Sequence, residues 1–163
     1  MQKWVKRVEK WSKVVYNGST MFMGTYYNSI DDKNRMIVPA KHRDMLGNSC
    51  VLTKGLDKCL YIYTKKAWET QIEKISALPQ SRSEVRKFIR HMAAGAIECT
   101  FDKQGRISIP QNLKEYATIS KELVTVGAIT KIEVWAKETW ENPSEAIALD
   151  TSEFEEALKE FDF

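Results

Sequence analysis

Two short stretches carry the residue types that could do chemistry: Asp31-Asp32-Lys33-Asn34-Arg35 and Asp102-Lys103-Gln104-Gly105-Arg106. Each opens with an acid whose carboxylate can accept from the N–H groups of its own turn, which stiffens the loop. Gly105 is free to take positive φ, and Asn34, at the equivalent place, is the side chain that tolerates that conformation best. Lys33, Arg35, Lys103 and Arg106 then project from a rigid support. Arginine offers a planar fork that pairs bidentately with phosphate or with guanine O6/N7, while lysine supplies a point charge. One such turn alone reads as a surface ion pair, which contributes little. Two turns with the same acid, the same base and the same following proline read as a pair of nucleic-acid contacts.

The turns belong to an internal repeat. Asp31, Arg35 and Pro39 recur as Asp102, Arg106 and Pro110, each displaced by 71 positions. Gly55, Leu60, Ile62, Tyr63 and Trp68 match Gly127, Ile132, Val134, Trp135 and Trp140 at a displacement of 72. Such self-similarity means two copies of one folding unit. In each copy a β-prone run (22–29, 96–101), the acid-to-base turn and a second apolar run (36–38, 107–109) predict a β-hairpin with a polar tip. Pro39 and Pro110 predict short helices over 39–46 and 110–117, because proline suits a first helical position. A second strand pair is expected around Gly55 and Gly127. Apolar residues at helical spacing predict amphipathic helices over 65–78 and 83–94, broken at Leu78-Pro79-Gln80-Ser81. The apolar stripes and tryptophans read as core.

The net charge of +3 hides an asymmetry. Residues 1–20 carry +4, residues 21–137 carry +7, and residues 138–163 carry −8. A basic body with an acidic tail suits a polyanion partner, although a solvated surface of mixed sign has the same arithmetic. No apolar run approaches the roughly 18 residues needed to cross a bilayer, and no signal-peptide core is present, so a soluble, cytoplasmic protein is expected. Cys50, Cys59 and Cys99 are odd in number and widely spaced. With only His42 and His91 beside them, neither a disulfide framework nor a zinc site is expected. Without a Gly-rich phosphate loop, nucleophile elbow or metal-ligand cluster, no catalytic residue, cofactor or small-molecule substrate is expected.

The doubled Asp-to-Arg-to-Pro pattern, the opening Met21-Phe22-Met23-Gly24 and the repeated strand ending in Tyr63/Trp135, with Trp68/Trp140 downstream, resemble the MraZ family of bacterial division and cell-wall cluster regulators. The resemblance spans residues 21 to about 142. It implies an α+β, β-rich fold in which two tandem SpoVT-AbrB units, each a swapped hairpin, form a pseudo-two-fold β-barrel with flanking helices. On that basis the chain divides into a basic extension (1–20), unit 1 (25–67), linking helices (68–95), unit 2 (96–139) and an acidic tail (140–163). The resemblance further implies a nucleoid-associated repressor that binds direct repeats of double-stranded DNA upstream of its own operon as a ring-shaped homo-oligomer. The family's DNA-binding signature falls on Asp31 with Arg35 and on Asp102 with Arg106, with Lys33, Asn34, Lys103 and Gln104 inside the two tips. Asn34 replaces the usual Gly, and Gln104 replaces a Lys that has moved to Lys103, so Lys33 and Arg35 are expected to dominate.

Two segments lie outside the motifs. Trp4, Val8, Trp11 and Val15 fall on one face of a basic helix, or else Met21 is the true initiator and residues 1–20 are a mis-assigned start. In the acidic tail, Phe154, Leu158 and Phe161 would line one face of a short helix. That tail supports an alternative function, an antitoxin-like module that captures a protein partner.

Overall fold

The computed structural model describes residues 21–161. The basic segment 1–20, with its expected Trp4-to-Val15 face, lies outside the described residues. The first copy runs β1 (Thr25–Ser29), β2 (Arg35–Ile37), α1 (Ala40–Leu46), β3 (Ser49–Lys54) and β4 (Leu60–Tyr63). Helices α2 (Lys65–Ser76) and α3 (Ser83–Ala94) follow. The second copy repeats the order as β5 (Ile97–Thr100), β6 (Arg106–Ser108), α4 (Gln111–Tyr116), β7 (Glu122–Gly127) and β8 (Ile132–Ala136), before α5 (Lys137–Glu141) and α6 (Thr151–Lys159). Pro39 and Pro110 precede their helices by one residue, at the cap position, with φ of −51° and −57°. The Thr64 side chain accepts from the Ala67 N–H at 2.9 Å and so caps α2, a contact of the kind that contributes about 1 kcal/mol.

All the pairing is antiparallel, and much of it joins one copy to the other. Six strands form a sheet in the order β1-β7-β8-β4-β3-β5, while β2 and β6 form a separate two-stranded ribbon. The first strand of each copy therefore lies on the β-hairpin of the other: β1 on β7, and β5 on β3. This corrects the expected simple hairpin. The runs flanking the first tip share no ladder, only an isolated Ile30–Met36 bridge, and each then pairs elsewhere. The expected closed barrel is not formed either. Among the described residues the sheet ends at β1 and β5, and β2 and β6 pair with each other rather than extending those edges.

Side-chain alternation divides the core between the two faces of the sheet. On β4, Leu60 and Ile62 point into a layer shared with Phe22, Met36, Ile107 and Leu123. Tyr61 and Tyr63 point the other way, into a layer with Trp135, Ile75 and Met92 that Trp68, Phe88 and Trp140 cover. Buried Thr53 donates to the Met92 carbonyl at 2.7 Å and ties β3 to the end of α3. The spacing of the copies is finer than the sequence alignment suggests. Helices α1 and α4 start 71 residues apart, β3 and β7 start 73 apart, and β4 and β8 start 72 apart. Two residues are gained before the strand and one is lost in the following turn, so Gly55 and Gly127 are not equivalent. Gly55 follows β3, whereas Gly127 ends β7.

Candidate nucleic-acid interface

The ribbon positions both tips. Its register pairs Arg35 with Ser108, Met36 with Ile107 and Ile37 with Arg106, which is symmetric about the central pair. Met36 and Ile107 are buried, so alternation turns Arg35, Ile37, Arg106 and Ser108 to the opposite, outer side. Two turns 71 residues apart in sequence thereby become neighbours.

Each tip is built in the same way. In the first, the Asn34 N–H donates to the Asp31 carbonyl at 3.0 Å, closing the turn. Asp31 Oδ1 accepts from the N–H groups of Lys33 (3.0 Å) and Arg35 (2.8 Å), and Oδ2 accepts from Arg35 Nε at 2.8 Å. In the second, the Gly105 N–H donates to the Asp102 carbonyl at 3.0 Å. Asp102 Oδ1 accepts from the N–H groups of Gln104 (3.0 Å) and Arg106 (2.9 Å), and Oδ2 accepts from Arg106 Nε at 2.7 Å. Asn34 and Gly105 have φ of 58° and 76°, the left-handed conformation expected of both. Their carbonyls brace the opposite copy: Asn34 O accepts from the Ile109 N–H at 2.7 Å, and Gly105 O from the Val38 N–H at 3.1 Å.

These bonds hold both acids in their charged form. The backbone N–H of Arg35 foremost, with its side chain and the Lys33 N–H, pulls the Asp31 carboxyl below its ordinary value of 3.8. Arg106 and Gln104 do the same to Asp102. A folded-state pKa below the unfolded one gives stability that is complete above about pH 4 and lost as pH falls through the depressed folded values. The expected outcome of an acid titration is that the amide resonances of Lys33, Arg35, Gln104 and Arg106 move together, with midpoints below 3.8. Midpoints at or above that value would mean that the carboxylates do not hold the turns.

The tips differ in what they leave free. Arg106 is engaged along its whole fork, through Nε to Asp102, through Nη1 to Asp31 at 3.5 Å, and through Nη2 to Gln104 Oε1. Arg35 is held among the described residues through Nε alone. Their side chains are 30% (Arg35) and 21% (Arg106) exposed, so neither is sealed inside. Lys33 and Lys103 are exposed outright. Of the eight residues singled out from sequence, Lys33 (through its N–H) and Arg35 meet at Asp31, Gln104 and Arg106 meet at Asp102, Lys103 stands exposed beside the second cluster, and Asn34 is turned toward α4.

Two cations at this surface were missed. Lys114 Nζ on α4 donates to Asn34 Oδ1 at 3.0 Å, and Asn34 Nδ2 donates to Gln111 Oε1 at 3.3 Å. Arg43 on α1 lays its guanidinium on Gly105, where an added Cβ would collide with it. Gly105 therefore takes the left-handed φ without a Cβ, and any side chain there would have to displace the flexible end of Arg43. The signal was available, because the same 71-residue displacement that aligns the tips carries Arg43 onto Lys114.

Among the described residues no group of three or more His, Cys, Asp or Glu side chains is arranged to hold a metal ion. Nor is any described helix long and apolar enough to cross a membrane. A family described as "MraZ protein, putative antitoxin-like" matches residues 21–91 and again residues 92–162. The chain belongs to the MraZ family. Among similar MraZ proteins, the "Transcriptional regulator MraZ" of Moorella thermoacetica is 46% identical over 140 residues, covering 86% of this chain and 95% of that one. The protein of the same name from Caldanaerobacter subterraneus subsp. tengcongensis is 45% identical over 141 residues, covering 86% and 99%. The one from Pelotomaculum thermopropionicum is 50% identical over 122 residues, covering 75% and 84%.

Proposed function

We propose that this MraZ-family chain is a sequence-specific DNA-binding transcriptional regulator. In this reading it is a repressor of the cell-division and cell-wall gene cluster, acting in the cytoplasm on the nucleoid. The observation that carries the reading is the pair of acid-clamped arginine tips held side by side on the outer face of one ribbon. A two-stranded ribbon fits the major groove, and partly exposed guanidiniums on a stiff support can meet phosphate or guanine there. The swapped, pseudo-two-fold relation of units 25–67 and 96–139 is supported by the exchange of β1 and β5 and by the symmetric register of the ribbon. A ring of such chains would engage direct repeats in its own promoter, each tip adding modest affinity that tethering multiplies. No catalysis and no cofactor enter this function.

Footprinting of the full chain on the DNA upstream of its own gene tests the proposal. The expected result is evenly spaced protection, with affinity falling steeply as salt rises because counterions are released from the phosphates. Absence of protection at low salt would overturn it. The exposed, acidic helix α6 favours a second reading, capture of a protein partner by the tail. Partner capture retained after both tips are disabled would support that reading.

A further inference from the structure

The pairing of β3 with β5 sets two thiols face to face. Cys50 on β3 lies directly opposite Cys99 on β5 in the antiparallel register. Residues opposed in this way have Cα atoms about 4.5 to 5.5 Å apart, inside the roughly 4.4 to 6.8 Å that a disulfide spans. Both are free thiols buried in the layer that holds Phe22 and Met36, and their side chains are hydrogen-bonded to each other. Cys50 is wholly enclosed, whereas Cys99 is the one buried residue of β5, a four-residue strand at the sheet edge. Cys59 stands apart. It belongs to the layer on the other face of the sheet, where its S–H donates to Glu133 Oε2 at 3.8 Å.

The three thiols differ in reactivity. The hydrogen bond from Cys50 holds the Cys99 thiol below its ordinary value of 9.0, against the opposing effects of burial and of Glu98. The same bond, with burial, pushes Cys50 up, and burial foremost, with Glu133, pushes Cys59 up to about 12. The thiolate is the nucleophile in thiol oxidation, so Cys99 reacts first. We propose that Cys50 and Cys99 form an oxidative modification site, in which hydrogen peroxide oxidises Cys99 and Cys50 then closes a reversible disulfide between the two repeats of the chain. In the first step the Cys99 sulfur attacks the peroxide, the O–O bond breaks, and a sulfenic acid and one water form. In the second, the Cys50 sulfur displaces the hydroxyl, which leaves with the Cys50 proton as a second water, and the S–S bond forms. The two sulfurs give up two electrons and the peroxide gains them. Local opening of the short edge strand admits the oxidant, and the new bond fastens β5 to β3.

Peptide mapping of the full, folded chain after graded hydrogen peroxide, with the remaining thiols alkylated in denaturant, tests the inference. The expected product joins the peptides of Cys50 and Cys99, leaves Cys59 alkylated and reverts with a dithiol reductant. Amides 97–100 are expected to exchange at least about tenfold more slowly in the oxidised chain, while β7 and β8 exchange alike in both forms. In Cys50→Ala the sulfenic acid on Cys99 is expected to persist and to be trapped by a 1,3-dione. Cys50 and Cys99 both remaining alkylatable overturns the proposal, as does a cross-link that involves Cys59. Conversion of Cys99 to sulfinic acid with no cross-link also overturns it. Unchanged exchange at 97–100 in the cross-linked chain overturns the fastening of β5. None of these outcomes depends on DNA, so failure here leaves the function proposed above untouched.

Discussion

Arg35→Ala is expected to weaken binding to the upstream DNA by about 1 to 3 kcal/mol for each engaged tip, which is roughly 5- to 150-fold, while Arg106→Ala weakens it less. The asymmetry follows from the hydrogen bonds and from the Arg106–Asp31 ion pair. Both guanidiniums give Nε to the acid of their own turn, but Arg106 also gives its two outer nitrogens to Asp31 and Gln104. To meet a base, Arg106 would first have to break contacts that Arg35 does not make among the described residues. Arg106→Ala instead removes a brace between the two copies, and exposed pairs of this kind cost only about 0 to 1 kcal/mol when lost. Gel-shift titration of the two single variants and the double variant at fixed salt, with thermal melts beside it, measures both effects. Unchanged binding by a folded Arg35→Ala/Arg106→Ala chain would remove the tips from the interface.

The second large effect is structural. Gly127→Ala is expected to destabilise the fold by about 3 kcal/mol. A Cβ at Gly127 would stand 2.5 Å from the Met23 Cα and from the Phe22 carbonyl carbon, a collision with backbone that no side-chain rotation relieves. The segment it strikes is held by the Gly127 N–H donating to the Gly24 carbonyl at 2.8 Å and by the reciprocal Phe22–Ile129 bonds at 2.9 Å. Moving that segment draws the wholly buried Phe22 out of the core. Loss of a buried Phe costs about 3 to 5 kcal/mol, which bounds the effect from above. For a chain of this size about 3 kcal/mol lowers Tm by roughly 10 °C. A melt within about 2 °C of the unsubstituted chain would show that the segment yields without cost.

What the sequence reveals depends on how local the physics is. The tips are legible because five consecutive residues contain the turn's donors, its acid and its left-handed position, so Asp31 and Asn34 predict their own geometry. Helices α2 and α3 are legible through apolar spacing, and Pro39 and Pro110 mark the starts of α1 and α4 to within one residue. Strand partners are not legible, since a strand's pattern specifies which face is buried but not which edge it joins. Phe22 to Ser29 looks like one arm of a hairpin and becomes the partner of a strand nearly a hundred residues away. The matched glycines misled for a similar reason. Strand register, with Lys54 opposite Leu60 and Gly127 opposite Ile132, sets the true alignment, and the inserted residues are invisible until register is known. Arg43 and Lys114 lie outside the tips in sequence and reach them only because the helices of one copy cross to the turn of the other.

That crossing bears on how such a chain arises. An isolated half lacks the strand that completes its sheet and the arginine or lysine that covers its turn, so it can be whole only by finding a twin in solution. Joining two halves end to end converts that search into a folding step within one molecule, independent of dilution. Once joined, the halves are free to diverge, one guanidinium becoming a brace while the other keeps its outer nitrogens free among the described residues.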